Sequence, residues 1–394
     1  MASVGIICES NPFHLGHARQ ISLIRQQFGQ DAAIVCLMSG SFVQRGEPAI
    51  FPRLSRARAA MVCGADLVLE LPALGSLSSA EGFARTGVRF LSPICDHLCF
   101  GTESGTAEGL TATAEALLRP AFSEALRAAL STGVSFPAAR QAALEQMGMK
   151  AGLLVRPNDI LGVEYCKAIA RQAAALMPLA LPRRGVGHDG GAAEGFASAS
   201  RIRELLINGA CADEFLTPES AAICARERAA GRAPVTMANA ERAILARLRA
   251  MREEDFAPFD GGGEGLYHRF YDAVQRETSI EDILAAAKSK RYAYARLQRL
   301  LLSAFLGLTA ELPARIPYLR VLACNERGRE VLKTMKTTAA APVLTRSADV
   351  RRLDADAQRL FALTARAEEQ YVLAYPSLAA ARPGSAWTTD PVIL

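Results

Sequence analysis

The stretch NPFHLGH at residues 11–17 lies between an apolar run at residues 4–8 and a run at residues 17–24 whose apolar side chains recur at helical spacing. The first run has the length and β-branched content of a buried strand, and the second predicts a helix. The stretch between them is therefore predicted to be a turn from a strand into a helix. In an open α/β sheet such a turn lies at the carboxyl end of a strand, where ligands bind, and the helix N-terminus offers free N–H groups to an anion.

His14 and His17 are three residues apart, so they lie on one face of the first helical turn. Imidazole donors at a helix N-terminus suit a phosphate, and fixed donors stabilise charge that develops on phosphate oxygens in a transition state. Gly16 would let a ribose or a base approach the backbone closely. The alternative is that the two histidines cap a helix in an ordinary loop.

The H-x-G-H pattern is similar to the signature of the nucleotidyltransferase-like superfamily, which shares its α/β ATP-binding domain with class I aminoacyl-tRNA synthetases. The resemblance implies adenylyl transfer, in which a nucleophile attacks the α-phosphorus of ATP and pyrophosphate leaves. It also implies that a Ser/Thr-rich segment closes the ATP site.

Composition limits the classes of protein to which the chain belongs. Its 394 residues predict two to three domains, and a hydrophobic content of 50% with 22% charged residues excludes a largely disordered chain. The net charge of +5 permits a nucleic-acid partner without requiring one. Nine cysteines, an odd number with no C-x-x-C pair, support neither a structural zinc site nor a disulfide framework, so a reduced cytoplasmic protein is predicted. No export signal and no apolar run of about 18 residues is seen, so a membrane span is not expected.

Further strands are predicted at residues 31–40, 67–71, 97–100 and 178–182, with helical patterns between them. This alternation predicts βαβ units and a parallel sheet. From about residue 206 the strands give way to long helix-like runs. The predicted fold class is thus α/β, with a Rossmann-like nucleotidyltransferase domain at residues 1–210 and a mostly α-helical C-terminal domain at residues 211–394, in which no strand is expected and the architecture would be all-α.

Polar turns follow these strands and could meet at one edge of the sheet. Arg45 lies in the first turn as a candidate anion partner, with a solvated loop arginine as the alternative, and Gly101 opens the next turn. Asn158 or Asp159 is placed to cap the helix that follows residue 157. Arg183 begins a glycine-rich loop that runs through residue 195.

Ser198 and Ser200 stand at the start of the next predicted helix, and Arg203 follows them closely. Hydroxyls and N–H groups at a helix start, together with an arginine, suit phosphates. A plain N-cap cluster is the alternative reading.

The segment at residues 289–299 is predicted to place four basic side chains and two tyrosines, Tyr292 and Tyr294, on one helix. The basic residues, which we predict to contact RNA, are Lys290, Arg291, Arg296 and Arg299. Basic groups interleaved with aromatic rings resemble a surface for phosphates and stacked bases, and a solvated basic face is the alternative. The sequence KSK at 288–290 resembles a synthetase lysine loop, but its helical pattern and its place outside the first domain argue against an ATP loop. A second basic segment spans residues 317–336.

Taken together, the motifs resemble those of the bacterial tRNA(Met) cytidine acetate ligase family. They are ESNPFHLGH at 9–17, MSGSFVQRGEPA at 38–49, GADLVLELP at 64–72, FGTE at 100–103, PNDILG at 157–162, SASRIR at 198–203 and SKRYAYARLQR at 289–299. They follow the order of the family over most of the chain. The sequence departs from the family pattern at Ser10, where Tyr is usual, and at Asp159, where a second Asn is usual.

The resemblance implies a two-step reaction. Acetate attacks the α-phosphate of ATP to give acetyl-adenylate and pyrophosphate, and the N4 amine of the wobble cytidine of elongator tRNA(Met) then takes the acetyl group. The catalytic residues would be His14, His17 and Arg203. The residues that would hold ATP are Ile7, Cys8, Glu9, Ser10, Asn11, Pro12, Phe13, His14, Leu15, Gly16, His17, Ala18, Arg19, Gln20, Gly101, Asn158, Arg183, Ser198 and Ser200. Mg²⁺ is expected with ATP from the chemistry, although the sequence shows no dedicated carboxylate cage.

Two other functions remain open at this point. One is an adenylyltransferase that acts on a small cofactor precursor such as a mononucleotide or phosphopantetheine, although such enzymes resemble the first domain alone. The other is a non-catalytic RNA-binding protein of the same fold, against which the intact His14, Gly16, His17 and Arg203 argue.

Overall fold

The structure is a computed structural model that describes residues 2–149, 151–183, 195–259, 262–263, 265–290, 292–309, 311–313, 315–338 and 341–394. Its strands are β1 (Ser3–Cys8), β2 (Ala33–Ser39), β3 (Phe42–Val43), β4 (Glu47–Pro48), β5 (Leu67–Leu71), β6 (His97–Thr102), β7 (Met177–Pro182), β8 (Leu319–Cys324), β9 (Val343–Leu344) and β10 (Val392–Ile393). Every strand predicted from the sequence is confirmed, with bounds that differ by two residues or fewer.

The helices surround this sheet and continue beyond it. Those in the first half of the chain are α1 (Leu15–Phe28), α2 (Arg53–Val62), α3 (Ala73–Ser76), α4 (Ala80–Leu91), α5 (Ala107–Leu118), α6 (Pro120–Ser131), α7 (Phe136–Gln146) and α8 (Pro157–Arg171). Those in the second half are α9 (Ala199–Ile207), α10 (Pro218–Ala229), α11 (Glu241–Arg249), α12 (Leu266–Arg276), α13 (Ile280–Ala287), α14 (Tyr294–Leu306), α15 (Glu326–Thr338), α16 (Ala355–Tyr371) and α17 (Ser385–Thr388).

The main sheet has the strand order β10–β8–β5–β2–β1–β6–β7. The pairs β1–β2, β2–β5, β1–β6 and β6–β7 are all parallel, so the predicted parallel sheet is confirmed. From β1 the chain builds outward through β2 and β5 on one side and then through β6 and β7 on the other. The order therefore reverses between β1 and β6, and the crevice outside their carboxyl ends is where an open α/β sheet binds its ligand.

The prediction that the chain after residue 211 is all helical is wrong. Strand β8 pairs antiparallel with β5 and carries β9 and β10 as parallel neighbours, so three C-terminal strands complete the N-terminal sheet. Residues 319–324 are buried throughout, as an interior strand requires. The sequence does not predict this strand because Arg320, within a basic segment, is typical of an exposed position. In the structure Arg320 is buried in an ion pair with Glu70.

Apolar layers cover both faces of the sheet. Helices α4, α5 and α8 pack on one face through residues such as Val88, Leu110 and Val163, and α1 and α2 pack on the other through Ile24 and Ala60. A separate core joins α11 to α14 with α16. In the described part of the chain, no helix combines the length and apolar character needed to cross a membrane.

Candidate active site

The two histidines lie at the start of α1, as the sequence predicts. His14 is the N-cap residue, and its Nδ1 accepts a hydrogen bond from the Gly16 N–H at 3.0 Å. The His14 N–H donates in turn to Nδ1 of His17 at 3.2 Å. The two rings are stacked with their centroids 3.9 Å apart. A side chain at residue 16 would place its Cβ 2.8 Å from the His14 ring, so glycine is needed there for the ring itself.

These contacts fix the protons of both imidazoles. Burial lowers the pKa of His14 well below its ordinary value, and His17, Arg183 and Arg203 lower it further. Burial and Arg183 lower the pKa of His17 to about 4. Both rings are therefore neutral near pH 7. Because Nδ1 of each ring accepts a backbone N–H, each Nε2 carries the proton and is a directed donor.

Arg183 follows the carboxyl end of β7 and lies beside Gly101, the penultimate residue of β6. A Cβ on Gly101 would lie 3.0 Å from the Arg183 side chain, so the glycine makes room for the arginine. Arg183 Nη1 donates to Asn158 Oδ1 at 3.2 Å, and Asn158 Nδ2 donates to Glu103. Asn158 thus orients the guanidinium toward the crevice.

The prediction that Asn158 or Asp159 caps α8 is wrong. The N-cap is Arg156, and Pro157 occupies the first helical position, where a missing N–H costs nothing. Glu103 accepts the free N–H groups of residues 158 and 159 instead, the latter at 3.1 Å. Asp159 is fully buried and accepts the Glu103 N–H at 2.9 Å, so the two carboxylates hold the turn after β6 against α8.

Arg203 reaches the site from α9. It donates to the Asn11 carbonyl at 3.2 Å and to Ser200 Oγ at 3.3 Å. Ser198 Oγ accepts the Arg201 N–H, so Ser198 is the N-cap of α9 while also lining the crevice. Both readings of the serine cluster are therefore compatible with its geometry.

Asn11 offers a donor that no described residue satisfies. Its Oδ1 accepts the Ile50 N–H at 2.8 Å, which fixes the orientation of the amide. Its Nδ2 is buried in the crevice wall and lacks a hydrogen-bond partner among the described residues. A buried donor without an acceptor costs free energy, which a ligand oxygen would recover.

The hairpin of β3 and β4 brings Arg45 and Glu47 to the same crevice. Gly46 lies at its tip with φ of +82°, and a Cβ there would come within 2.5 Å of the Arg299 backbone nitrogen. Arg299 Nη1 donates to the Gln44 carbonyl at 3.3 Å. The hairpin is therefore seated directly on α14.

Arg56 holds the turns beneath the site. Its buried guanidinium donates to the carbonyls of Phe51, Ser39, Gly40 and Glu9. Glu9 accepts the Gln44 N–H at 2.8 Å, and burial raises the pKa of its carboxyl. The ends of β1 and β2 are thus tied together by one arginine.

These groups enclose a cavity of about 650 Å³, a size typical of small-molecule sites. The predicted site residues that line it are Ile7, Cys8, Glu9, Ser10, Asn11, His14, Gly16, His17, Arg19, Gln20, Gly101, Asn158, Arg183, Ser198, Ser200 and Arg203, together with Arg45.

Four predicted ATP contacts do not line the cavity: Pro12, Phe13, Leu15 and Ala18. Phe13 is 2% exposed and belongs to the core under α1, where Ala18 also packs. Ala18 is directed into this core by the helical periodicity of α1, because a residue that faces the sheet cannot also face the ligand.

Several cavity residues were missed. Phe83, Phe100 and Tyr165 form an apolar wall of the cavity. Of these three, only Phe100 could have been predicted from the sequence, because it is adjacent to Gly101. Glu47 lay in a predicted turn. Ala293 and Ala295 come from a segment that the sequence assigned to the other domain, and no local pattern indicates their position.

The predicted RNA-contacting residues are arranged differently from the prediction. Helix α13 ends at Ala287 and α14 begins at Tyr294, so Lys290 and Tyr292 precede the helix, and Arg291 lies outside the described residues. Tyr292 is buried and Arg296 lies over its ring at 5.2 Å, whereas Tyr294 is 43% exposed. The helix prediction is confirmed for Tyr294, Arg296 and Arg299, which lie on α14, and is wrong for Lys290 and Tyr292. The helical pattern expected for residues 288–290, which argued against a lysine loop, is also absent, because these residues lie between α13 and α14. Ala293, in the same connection, lines the cavity.

The glycine-rich loop at 184–194 lies outside the described residues. Within the residues that are described, no group of three or more His, Cys, Asp or Glu side chains could hold a metal ion.

Comparisons with known proteins show what the whole chain is similar to. The family model for HIGH Nucleotidyl Transferase matches residues 1–384. The tRNA(Met) cytidine acetate ligase of Syntrophomonas wolfei is 33% identical over 100% of this chain and 99% of its own length. That of Acetivibrio thermocellus is 32% identical over the full length of both chains.

Solved structures extend the similarity to three dimensions. The apo crystal structure of Thermotoga maritima TmcAL superposes with a TM-score of 0.93 at 29% identity, and the match covers 100% of both chains. A second crystal form, bound with α-thio ATP, gives a TM-score of 0.91 at 28% identity. The architecture of the whole chain is therefore shared with a protein that binds an ATP analogue.

Proposed function

Because the chain belongs to the HIGH nucleotidyl transferase family and, within it, to the tRNA(Met) cytidine acetate ligases, we propose that it activates acetate with ATP and transfers the acetyl group to N4 of the wobble cytidine of elongator tRNA(Met). The products would be N4-acetylcytidine, AMP and pyrophosphate. The enzyme is thus a ligase with ATP, acetate and tRNA as substrates, and its place of action would be the cytoplasm, where these substrates meet.

The observation that carries the proposal is a pair of neutral, stacked histidines in a cavity that two arginines also line. His14 and His17 present Nε2–H donors without bringing charge, and Arg183 and Arg203 bring positive charge to the same cavity. Neutral donors do not hold the departing pyrophosphate as firmly as cations would. This combination suits a triphosphate that must bind, react and leave.

In the first step, a carboxylate oxygen of acetate forms a bond to the α-phosphorus of ATP, and the bond to the bridging oxygen of pyrophosphate breaks. The two Nε2–H groups and the guanidinium of Arg203 would donate to phosphate oxygens on which charge develops. Arg183, oriented by Asn158, would hold a phosphate oxygen, and the free Asn11 Nδ2 would donate to a further ligand oxygen.

The rest of the ATP molecule has a matching surface. Phe83, Phe100 and Tyr165 form an apolar wall suited to the adenine ring. Mg²⁺ would be held mainly by phosphate oxygens and water, as is usual for this ion with nucleotides.

The helical half of the chain would supply the tRNA surface. We assign residues 1–210 to catalysis and residues 211–394, apart from the strands β8–β10 that complete the first sheet, to tRNA binding, with Lys290, Arg291, Arg296 and Arg299 as phosphate contacts. The contact between the β3–β4 hairpin and α14 supports this assignment, because the hairpin lines the cavity and α14 carries part of the basic segment.

Acetate-dependent exchange of pyrophosphate into ATP tests the first step. We expect exchange in the wild-type protein and a loss of about 100- to 1,000-fold in kcat for His14→Ala and for His17→Ala, the cost of removing one transition-state donor. Circular dichroism and a thermal melt would show that both variants are folded. Exchange that required a mononucleotide or phosphopantetheine in place of acetate would refute the ligase and favour the small-molecule adenylyltransferase.

The nucleosides of tRNA test the second step. In cells that lack the protein, we expect N4-acetylcytidine to disappear from elongator tRNA(Met) and to return when the wild-type chain is supplied. An unchanged amount of this nucleoside would remove the proposed product.

A further inference from the structure

A second cavity of about 400 Å³ adjoins the first. Pro48, Ile50 and Val235 form a buried apolar floor, and Ile207, which is 48% exposed, stands at its rim. It lies between α9 and the chain that follows residue 234. No step described so far uses it.

The two cavities share a wall that consists of Glu47, Ser200 and Arg203. A group seated in the second cavity is therefore separated from a ligand in the first by single side chains. In the proposed reaction, the acetyl group is held in the first cavity, and the attacking amine must arrive from outside it. The shared wall is where such an amine would meet the acetyl carbon.

The lining of the second cavity suits a nucleobase. Enzymes that act on a base hold it between apolar side chains and recognise its Watson–Crick edge with hydrogen bonds. The apolar floor and Ile207 could cover the two faces of a ring. The side-chain amide of Asn208 offers N–H donors and a carbonyl acceptor at the rim, whereas the Thr236 hydroxyl donates to Asn239 Oδ1 at 2.6 Å.

Glu47 is the carboxylate of the shared wall. Its side chain is 34% exposed, and its Oε2 lies 3.6 Å from Nη2 of Arg203. Glu47 is therefore a proton acceptor that lies between the two cavities. It belongs to the β3–β4 hairpin, which contacts α14 at Gly46.

We propose that the second cavity takes the cytosine base of the nucleic-acid acceptor and that Glu47 accepts the proton released from its N4 amine. The nitrogen lone pair forms the bond to the acetyl carbonyl carbon. The bond between that carbon and the phosphate oxygen breaks, and AMP leaves with the electron pair. The N4 proton passes to the Glu47 carboxylate. This inference rests on the proposed function.

The test separates the two half-reactions. For each variant, acetate-dependent pyrophosphate exchange reports activation, and a single-turnover assay with preformed acetyl-adenylate and tRNA reports transfer. We expect Glu47→Gln to lower the ratio of transfer to exchange by about 100-fold, as for loss of a general base. Glu47→Asp should recover part of this ratio.

The cavity itself is tested with Asn208→Ala, which should raise the tRNA concentration needed for half-maximal transfer by about 10-fold, as for a lost contact to a base edge. Glu214→Gln is the matched control for Glu47→Gln, since Glu214 is an exposed carboxylate that lines neither cavity. It should leave both half-reactions unchanged.

Three results would overturn the inference. If transfer and exchange fell equally in Glu47→Gln, Glu47 would act in ATP or acetate binding. If Asn208→Ala raised the KM for acetate and not for tRNA, the cavity would be an acetate passage. If the variants transferred normally, the base would bind elsewhere. In all three cases wild-type exchange persists, whereas its absence would show that the proposed function itself is wrong.

Discussion

Arginines gather at two places near the carboxyl ends of the strands, and they differ in how their charge is met. Arg53 and Arg320 are buried with Glu70 and Glu368, at N–O distances of 3.0–3.5 Å. In the described part of the chain, Arg183 instead contacts a neutral amide, and Arg203 contacts a carbonyl, a hydroxyl and Glu47 at 3.6 Å. Where charge is neutralised within the protein it supports the fold, and where it is left partly unmet it is available to a ligand.

The largest effect should come from breaking the neutralised cluster. Glu368→Ala leaves Arg53 buried without one of its two carboxylates and removes the partner of Ser41. We expect the free energy of unfolding to fall by about 3–5 kcal/mol, measured by urea denaturation. Glu124→Ala, an exposed glutamate on α6, is the control and should change it by less than about 0.5 kcal/mol. A similarly small change in Glu368→Ala would show that the cluster does not support the fold.

The opposite pattern is expected at the cavity. Arg183 is exposed, so Arg183→Ala should change the free energy of unfolding by less than about 0.5 kcal/mol. Acetate-dependent pyrophosphate exchange should nevertheless fall by about 100-fold, because a phosphate donor is lost. A variant that loses stability and keeps exchange would reverse the roles assigned to the two arginine groups.

Gly46 tests whether the cavity depends on α14. Gly46 and Gly133 both have φ of +82°, but a Cβ on Gly133 would meet nothing within 4 Å, whereas one on Gly46 would strike the backbone at residues 298–299. Both Gly→Ala changes incur the same left-handed strain. Gly46→Ala should cost about 1–3 kcal/mol more, and it should also weaken ATP binding. Equal destabilisation in the two variants would mean that the hairpin shifts freely.

The smallest effect concerns His17 and pH. Its pKa is lowered to about 4 in the folded protein from an ordinary value of 6.5, so between these pH values the unfolded chain binds a proton that the folded chain does not. Stability should therefore fall as pH falls from 6.5 toward 4. Between pH 7 and pH 5 the wild type should lose roughly 1–2 kcal/mol more than His17→Gln. Equal losses would show that His17 titrates normally.

Much of this arrangement could be predicted from the sequence. The strands β1, β2, β5, β6 and β7 have apolar runs, and their carboxyl ends and the segments that follow bring His14, Gly101, Arg183 and Arg203 to one edge. What could not be predicted depends on distant partners. The sequence around Arg320 is typical of a basic surface, and only the structure shows that its partner is the buried Glu70. The role of Asn158 depends on Glu103, because Glu103 accepts the N–H groups that the asparagine was expected to cap.

Strand β8 has a consequence for the newly made chain. Arg320 follows its partner Glu70 by 250 residues, which a ribosome takes about 12–50 s to add at 5–20 residues per second. Until then β5 is an edge strand whose backbone groups are open to pairing with another chain, and edge strands of this kind promote aggregation. Glu70 within β5 places a carboxylate on that temporary edge. The residue that later pairs with Arg320 can thus protect the half-built sheet during synthesis.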